Sequence, residues 1–87
     1  MVSFEEIAQI VAQILEIEIK DINFNSSFDR LGADSVEMAE IFIKTEDTFN
    51  LEIPDEDEYL FKTVLDLLQY VNQYANPPSE GFPEKKK

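Results

Sequence analysis

Ser35 stands directly after Asp34, where a loop gives way to an apolar-rich stretch. A serine hydroxyl acts as a nucleophile when a base lies within hydrogen-bonding distance, and histidine is the usual base. The chain has no histidine and no cysteine, and Asp34 alone is a poor base for a hydroxyl. We therefore exclude hydrolase and transferase chemistry by this domain. Ser35 is either an ordinary serine at a helix start or a serine that another enzyme modifies.

A modification at this position has a physical preference. Ser35 would be the first residue of a helix, where free N–H groups and the helix dipole stabilise an attached phosphate. The alternative chemistry is calcium binding by the acidic run at residues 55–58. That run fails the EF-hand spacing, because Tyr59 takes the fifth position and Leu60 stands where glycine is needed. A weak, nonspecific divalent site remains open.

The elements that position Ser35 are predicted to be helical. Ser3 and Glu6 form a capping-box pattern, and the apolar periodicity that follows predicts a first helix ending between residues 17 and 19. A long loop rich in Asn, Ser and Asp comes next, in which Gly32 suits a turn with positive φ. Four apolar residues should pin this loop over the core: Ile22, Phe24, Phe28 and Leu31.

The second helix is predicted to span residues 35–49, with Asp34 as N-cap and Glu37 completing the cap. A short helical turn is predicted over residues 55–60. A last helix starts after Thr63, whose cap partner is Asp66. Its apolar face comprises Val64, Leu67, Leu68 and Val71, with Tyr70 and Tyr74 at the edges.

These elements predict one all-α domain, a four-helix bundle of three main helices and one short helix with a long first loop. We expect the bundle to cover residues 1–75. Residues 76–87, rich in proline and ending in three lysines, are expected to form a flexible tail.

The second helix carries more apolar surface than one small core needs. One face comprises Ile41, Phe42, Thr45 and Phe49, and another comprises Val36, Ala39 and Ile43. The helix is either the most buried of the bundle, or its second stripe is exposed. Because Glu37, Glu40, Glu46 and Asp47 interleave with that stripe, exposure is favoured. An apolar stripe rimmed with acidic residues is typical of a docking surface for basic partners.

The charge of the chain supports this interpretation. Seven basic residues against nineteen acidic ones give a net charge of −12, which argues against binding to nucleic acid or to anionic membrane surfaces. No export signal and no apolar run long enough for a membrane span is evident in the sequence. We expect a cytoplasmic monomer.

Several stretches together resemble acyl carrier proteins: "LGADSVE" before an acid-rimmed helix, "FNLEIPDEDE", and "KTVLDLLQYV". The resemblance covers residues 3–74. It implies that Ser35 carries covalent 4′-phosphopantetheine, added by a separate phosphopantetheinyl transferase, and that Asp34 helps the transferase hold its metal. The arm's thiol would carry acyl groups as thioesters to basic-surfaced enzymes of fatty acid, lipid or polyketide biosynthesis. The implied partner surface comprises Asp34, Val36, Glu37, Met38, Ala39, Glu40, Ile43, Glu46 and Asp47.

The resemblance also implies an acyl cavity, here walled by Phe42, Thr45, Phe61 and Leu67. The loop between Phe28 and Leu31 is one residue shorter than in typical fatty-acid carriers, and "EYLFKTV" is bulkier than the usual run. Either the cavity is reduced and the cargo is short or unusual, or the bundle repacks around larger side chains. A carrier of amino acids and an unmodified docking adaptor remain alternatives for the function.

Overall fold

The computed structural model describes residues 1–75, which contain three α-helices and two 3₁₀ helices. The helices are α1 (Phe4–Leu15), η1 (Ile19–Asp21), α2 (Ser35–Phe49), η2 (Asp55–Leu60) and α3 (Val64–Tyr74). The predicted all-α bundle, with three main helices and a short one over residues 55–60, is confirmed. Helix η1 was not expected, because three residues are too few for a periodicity. The predicted tail, residues 76–87, lies outside the described residues, so the domain boundary at residue 75 stays a prediction.

The three predicted helix starts are confirmed as capping boxes. In α1 the amide of Glu6 donates to Oγ of Ser3 at 3.3 Å. In α3 the amide of Asp66 donates to Oγ1 of Thr63 at 3.2 Å. In each box the acidic side chain also accepts from the cap residue's own amide, which satisfies two N–H groups that the helix itself leaves without partners.

The predicted end of α1 is wrong, because the helix stops at Leu15. Glu16 adopts the left-handed conformation with φ of 60°, and the amide of Ile17 donates to the carbonyl of Ala12 at 3.1 Å. This is a Schellman ending, in which an apolar residue just beyond the helix packs back onto it. Ile17 is accordingly half-buried against the core, so it continues the apolar spacing without being helical.

The long first loop is attached along the start of α3. The amide of Phe28 donates to the carbonyl of Lys62, and the amides of Val64 and Leu65 donate to the carbonyls of Ser26 and Phe24, at 3.0–3.1 Å. As predicted, the side chains of Ile22 and Phe28 are buried and that of Leu31 is half-buried.

The prediction for Phe24 is wrong. Its side chain is 48% exposed and packs only partly, with its ring centroid 4.6 Å from that of Phe4. At this position the loop is held by the hydrogen bond from the amide of Leu65 to the backbone carbonyl of Phe24. This bond does not depend on the side chain of Phe24, so the ring can lie at the surface.

The core lies between α1 and the other two long helices. Helix α1 packs against both α2 and α3 and buries Ile7, Ala8, Ile10, Val11 and Ala12. Ile41 from α2 and Leu67 from α3 are fully buried in the same cluster. Within residues 1–75, no helix is both long and apolar enough to cross a membrane.

Candidate functional site

The first turn of α2 holds Ser35 in a fixed and accessible position. Ser35 is the first residue of the helix and is exposed. The carboxylate of Asp34 accepts from the amide of Glu37 at 2.8 Å, and the carboxylate of Glu37 accepts from the amide of Asp34 at 3.1 Å. This reciprocal pair was predicted from the sequence. It fixes the backbone on both sides of the serine.

The chain enters this turn through Gly32, whose φ of 91° confirms the predicted positive value. This backbone region favours glycine, because a Cβ would crowd the neighbouring carbonyl. The amide of Gly32 donates to the carbonyl of Asp29 at 3.1 Å, and the amide of Ala33 donates to the carbonyl of Phe28 at 3.0 Å. The turn therefore connects Phe28, which is buried in the core, to Asp34 and Ser35 at the surface.

Two amide groups at this helix start are open to a ligand. Among the hydrogen bonds of residues 1–75, none is donated by the amide of Ser35 or Val36, whereas those of Glu37 and Met38 are both satisfied by Asp34. Unpaired N–H groups at the positive end of a helix favour an anion. The residues present therefore fit a phosphate attached to the Ser35 hydroxyl.

The outer face of α2 carries an exposed apolar stripe, as the sequence indicated. Val36 and Ile43 are 66% and 64% exposed, and Ala39 is exposed between them. Glu40 and Asp47 lie on the same side of the helix. A shallow depression of about 410 Å³ continues this face toward α1, and its lining comprises Ile14, Glu40, Ile43, Lys44 and Asp47.

Three of the residues assigned to the partner surface have other contacts. Met38 is half-buried and packs against the core. Glu46 is half-buried, and its carboxylate accepts from the amide of Ile53 at 2.7 Å. Glu37 is half-buried in the capping box. The accessible part of the predicted surface thus centres on Val36, Ala39, Glu40, Ile43 and Asp47.

All four residues assigned to an acyl cavity are buried in the core. The hydroxyl of Thr45 donates to the carbonyl of Ile41 at 2.7 Å, which satisfies the donor of this buried polar residue. The rings of Phe42 and Phe61 lie with centroids 5.3 Å apart. Phe61 thus extends from the end of η2 to α2 inside the bundle.

Sequence reasoning placed Tyr70 at the edge of an apolar face and missed its role in this interior. Its ring packs edge-on against Phe61 at 5.0 Å, and its hydroxyl donates to the carboxylate of Asp57 at 3.0 Å. Burial, followed by this hydrogen bond and the negative charge of Asp57, raises the pKa of Tyr70 to about 12. The only local signal is a polar-tipped residue beside an apolar helix face, which does not identify its partner.

The acidic run in η2 gathers no metal site in the structure. Within residues 1–75, no group of three or more carboxylate side chains is arranged so that it could hold a metal ion. The carboxylate of Asp57 instead accepts a hydrogen bond from the hydroxyl of Tyr70.

Comparisons with known proteins show the family to which this chain is similar. The family model described as "Phosphopantetheine attachment site" matches residues 5–71. An acyl carrier protein from Clostridium perfringens (strain SM101 / Type A) is 38% identical over 73 residues, which cover 83% of this chain and 96% of the relative.

Two solved structures are also similar. One is the solution structure of the apo doublet acyl carrier protein from prodigiosin biosynthesis, with a TM-score of 0.74 at 23% identity, covering 85% of this chain and 36% of that one. The other is the mupirocin didomain ACP, with a TM-score of 0.74 at 25% identity, covering 97% of this chain and 46% of that one. The first, at this identity, supports the fold alone, and this chain spans less than half of either.

The predicted resemblance is confirmed by the family match and by the relative that aligns over almost its whole length. The chain belongs to the acyl carrier proteins, which are non-catalytic carriers with a phosphopantetheine attachment site.

Proposed function

We propose that Ser35 is the residue to which 4′-phosphopantetheine is attached, through a phosphodiester at its hydroxyl. The observation that carries this assignment is the exposed hydroxyl at the first residue of α2, next to two amides without partners within residues 1–75. The attached arm supplies a thiol on which acyl groups travel as thioesters. No side chain of this domain needs to activate that thiol, because the partner enzymes supply the acid and base groups.

The residues around Ser35 have distinct tasks in this proposal. The amides of Ser35 and Val36 stabilise the phosphate through their dipoles. Asp34 and Glu37 hold the helix start in one conformation, so the hydroxyl is presented to the transferase in a fixed geometry. By analogy with the family, Asp34 also contributes to the metal site of the transferase while the two proteins are bound.

We further propose that the outer face of α2 is the surface that partners recognise. Val36, Ala39 and Ile43 offer an exposed apolar centre, and Glu40 and Asp47 provide negative charge beside it. Rim charges of this kind speed the encounter with a basic partner more than they prolong the complex, which suits a carrier that must leave each enzyme. The partners are a phosphopantetheinyl transferase and acyl-processing enzymes of fatty acid, lipid or polyketide biosynthesis in the cytoplasm.

A modification assay tests the assignment of Ser35. The protein is incubated with coenzyme A and a phosphopantetheinyl transferase, and its intact mass is measured. We expect a gain of one phosphopantetheine in the wild-type protein and none in Ser35→Ala. Ser3→Ala is the matched control, because it removes an exposed serine at another helix start and should leave the mass gain intact. A wild-type protein that gains no mass would indicate an unmodified docking adaptor, and a gain that survives in Ser35→Ala would place the attachment elsewhere.

A further inference from the structure

Helix η2 is a surface segment held between two buried ends. None of its residues is buried, whereas Ile53 before it and Phe61 after it belong to the core. Tyr59 and Leu60 are exposed apolar residues on this segment. The amides of Asp57 and Phe61 donate to the carbonyls of Pro54 and Glu58, so the backbone hydrogen bonds of η2 are local. The segment therefore lies at the surface, and its backbone hydrogen bonds do not tie it to the other helices.

A single hydrogen bond connects η2 to the helices. Among the hydrogen bonds of residues 1–75, the bond from the Tyr70 hydroxyl to Asp57 is the one that joins η2 to another helix. Tyr70 belongs to α3 and is half-buried. Because the ring is fixed by its neighbours, the hydroxyl is held in place for Asp57 at little entropic cost.

The same tyrosine begins a row of rings that crosses the interior. Tyr70 meets Phe61 edge-on at 5.0 Å, and Phe61 meets Phe42 of α2 at 5.3 Å. Helices α2 and α3 both pack closely on α1, and Phe61 spans the space between them. Any movement of η2 is thus coupled through Phe61 to the interior between α2 and α3.

This arrangement bears on the cargo of the proposed carrier. An acyl chain longer than a few carbons gains free energy by leaving water, in proportion to the apolar area that is buried. Ser35 and Phe42 lie on the same helix, seven residues and so roughly 10 Å apart. The interior beside Phe42 is apolar, but it is filled by the rings, so a chain can enter only if Phe61 and η2 shift.

We propose that the Tyr70–Asp57 hydrogen bond is a latch that sets how readily η2 opens, and thereby sets how long an acyl chain must be before the domain shelters it from water. The inference rests on the proposed function, since the chain reaches this interior from an arm on Ser35. Short acyl groups stay outside with the latch closed. Longer apolar chains bury enough area to break the latch and enter.

The latch itself is tested in the unmodified protein by amide hydrogen exchange. Tyr70→Phe keeps the ring contacts and removes the donor, so the amides of Asp57 and Phe61 should exchange about fivefold faster, the factor that corresponds to one hydrogen bond. Asp57→Ala removes the acceptor from the other side and should have a similar effect. Tyr74→Phe is the matched control, because that hydroxyl donates no hydrogen bond within residues 1–75. Exchange rates in Tyr70→Phe equal to those of the wild type would refute the latch.

The consequence for cargo is tested on proteins loaded with acetyl, butyryl, hexanoyl or octanoyl phosphopantetheine. The rate at which hydroxylamine cleaves each thioester reports how exposed it is. We expect Tyr70→Phe to slow cleavage of the octanoyl thioester by up to about fivefold relative to the wild type, and to leave the acetyl thioester unchanged. Tyr74→Phe should follow the wild type throughout.

The outcomes separate this inference from the function on which it rests. If no arm is attached at Ser35, the intact mass shows this before any acyl group is loaded, and the assignment of the carrier site fails along with the sheltering role. If the arm attaches but Tyr70→Phe and the wild type lose every thioester at the same rate, the carrier assignment stands and the latch has no role in sheltering cargo.

Discussion

The carboxylates beside Ser35 have two roles that can be separated residue by residue. The carboxylates of Asp34 and Glu37 each accept a hydrogen bond from the backbone N–H group of the other residue, and both place negative charge beside Ser35, where the transferase must bind. Mutation to alanine removes both roles at once. A substitution that keeps the oxygen acceptor and removes the charge distinguishes them.

Glu37→Gln should leave folding stability nearly unchanged and weaken recognition. Glutamine retains the side-chain oxygen that accepts from the amide of Asp34, since both Glu and Gln complete a capping box. Glu37→Ala should lower the free energy of unfolding by about 1 kcal/mol, the typical net value of one hydrogen bond. Urea denaturation measures the stability of each variant, and the KM of the transferase reaction measures recognition. We expect both variants to raise KM.

The control for this pair is Glu5→Gln, which removes the same charge from the first turn of α1. It should change neither stability nor KM appreciably, because Glu5 is exposed and lies on another helix. An unchanged KM in Glu37→Gln would mean that the transferase does not sense the charge of this residue, and that Glu37 serves the helix cap alone.

At the scale of elements, the sequence predicts the helix starts because their signals are local. The two residues that form each capping box lie within four consecutive positions, such as Ser3 to Glu6. The end of α1 escapes prediction, since Ile17 continues the apolar spacing and Glu16 is a residue type that seldom adopts positive φ. The contact between Asp57 and Tyr70 escapes it too, because the two residues meet only after α3 has packed. The sequence also does not show which aromatic residues of the long first loop are buried, because that depends on how the loop packs against the helices.

The attachment of η2 to α3 predicts a loss of stability at high pH. The pKa of Tyr70 rises from 10.0 to about 12 in the folded protein, so the native state holds this proton more tightly than the unfolded chain does. The stabilisation that the protonated hydroxyl provides is fully present below pH 10 and is lost as the pH rises toward 12. Urea denaturation across this range should show the advantage of the wild type over Tyr70→Phe shrinking as the pH rises.

Tyr74→Phe provides the reference for this measurement, because it removes a hydroxyl from the neighbouring ring of α3 that donates no hydrogen bond within residues 1–75. The difference between the wild type and Tyr74→Phe should depend less on pH. A constant difference between the wild type and Tyr70→Phe from pH 10 to pH 12 would mean that the hydroxyl ionises with equal ease in both states, and that its contact with Asp57 is too weak to matter.

On the scale of the whole molecule, the negative charge is largely uncompensated. The net charge is −12, and within residues 1–75 there is one ion pair, between Lys20 and Glu18 at 3.7 Å, with both side chains well exposed. Such a pair contributes little to stability. The bundle measures 37 × 25 × 18 Å, which is comparable to the screening length of roughly 30 Å at 0.01 M ionic strength. At low salt, therefore, acidic residues on opposite sides of the bundle repel one another.

Added salt should consequently raise the melting temperature. At 0.15 M ionic strength the screening length falls to roughly 8 Å, and only close neighbours still repel. If screening recovers about 1 kcal/mol, the melting temperature rises by about 4–8 °C for a domain of this size. Calorimetry in sodium chloride, and in magnesium chloride at matched ionic strength, measures the rise.

The double variant Glu40→Gln, Asp47→Asn should melt higher than the wild type at low salt and respond less to added salt, because both side chains are exposed on α2. A melting temperature that responds to neither salt would mean that the acidic side chains are spaced widely enough not to repel, and a response to magnesium alone would indicate binding of the ion rather than screening.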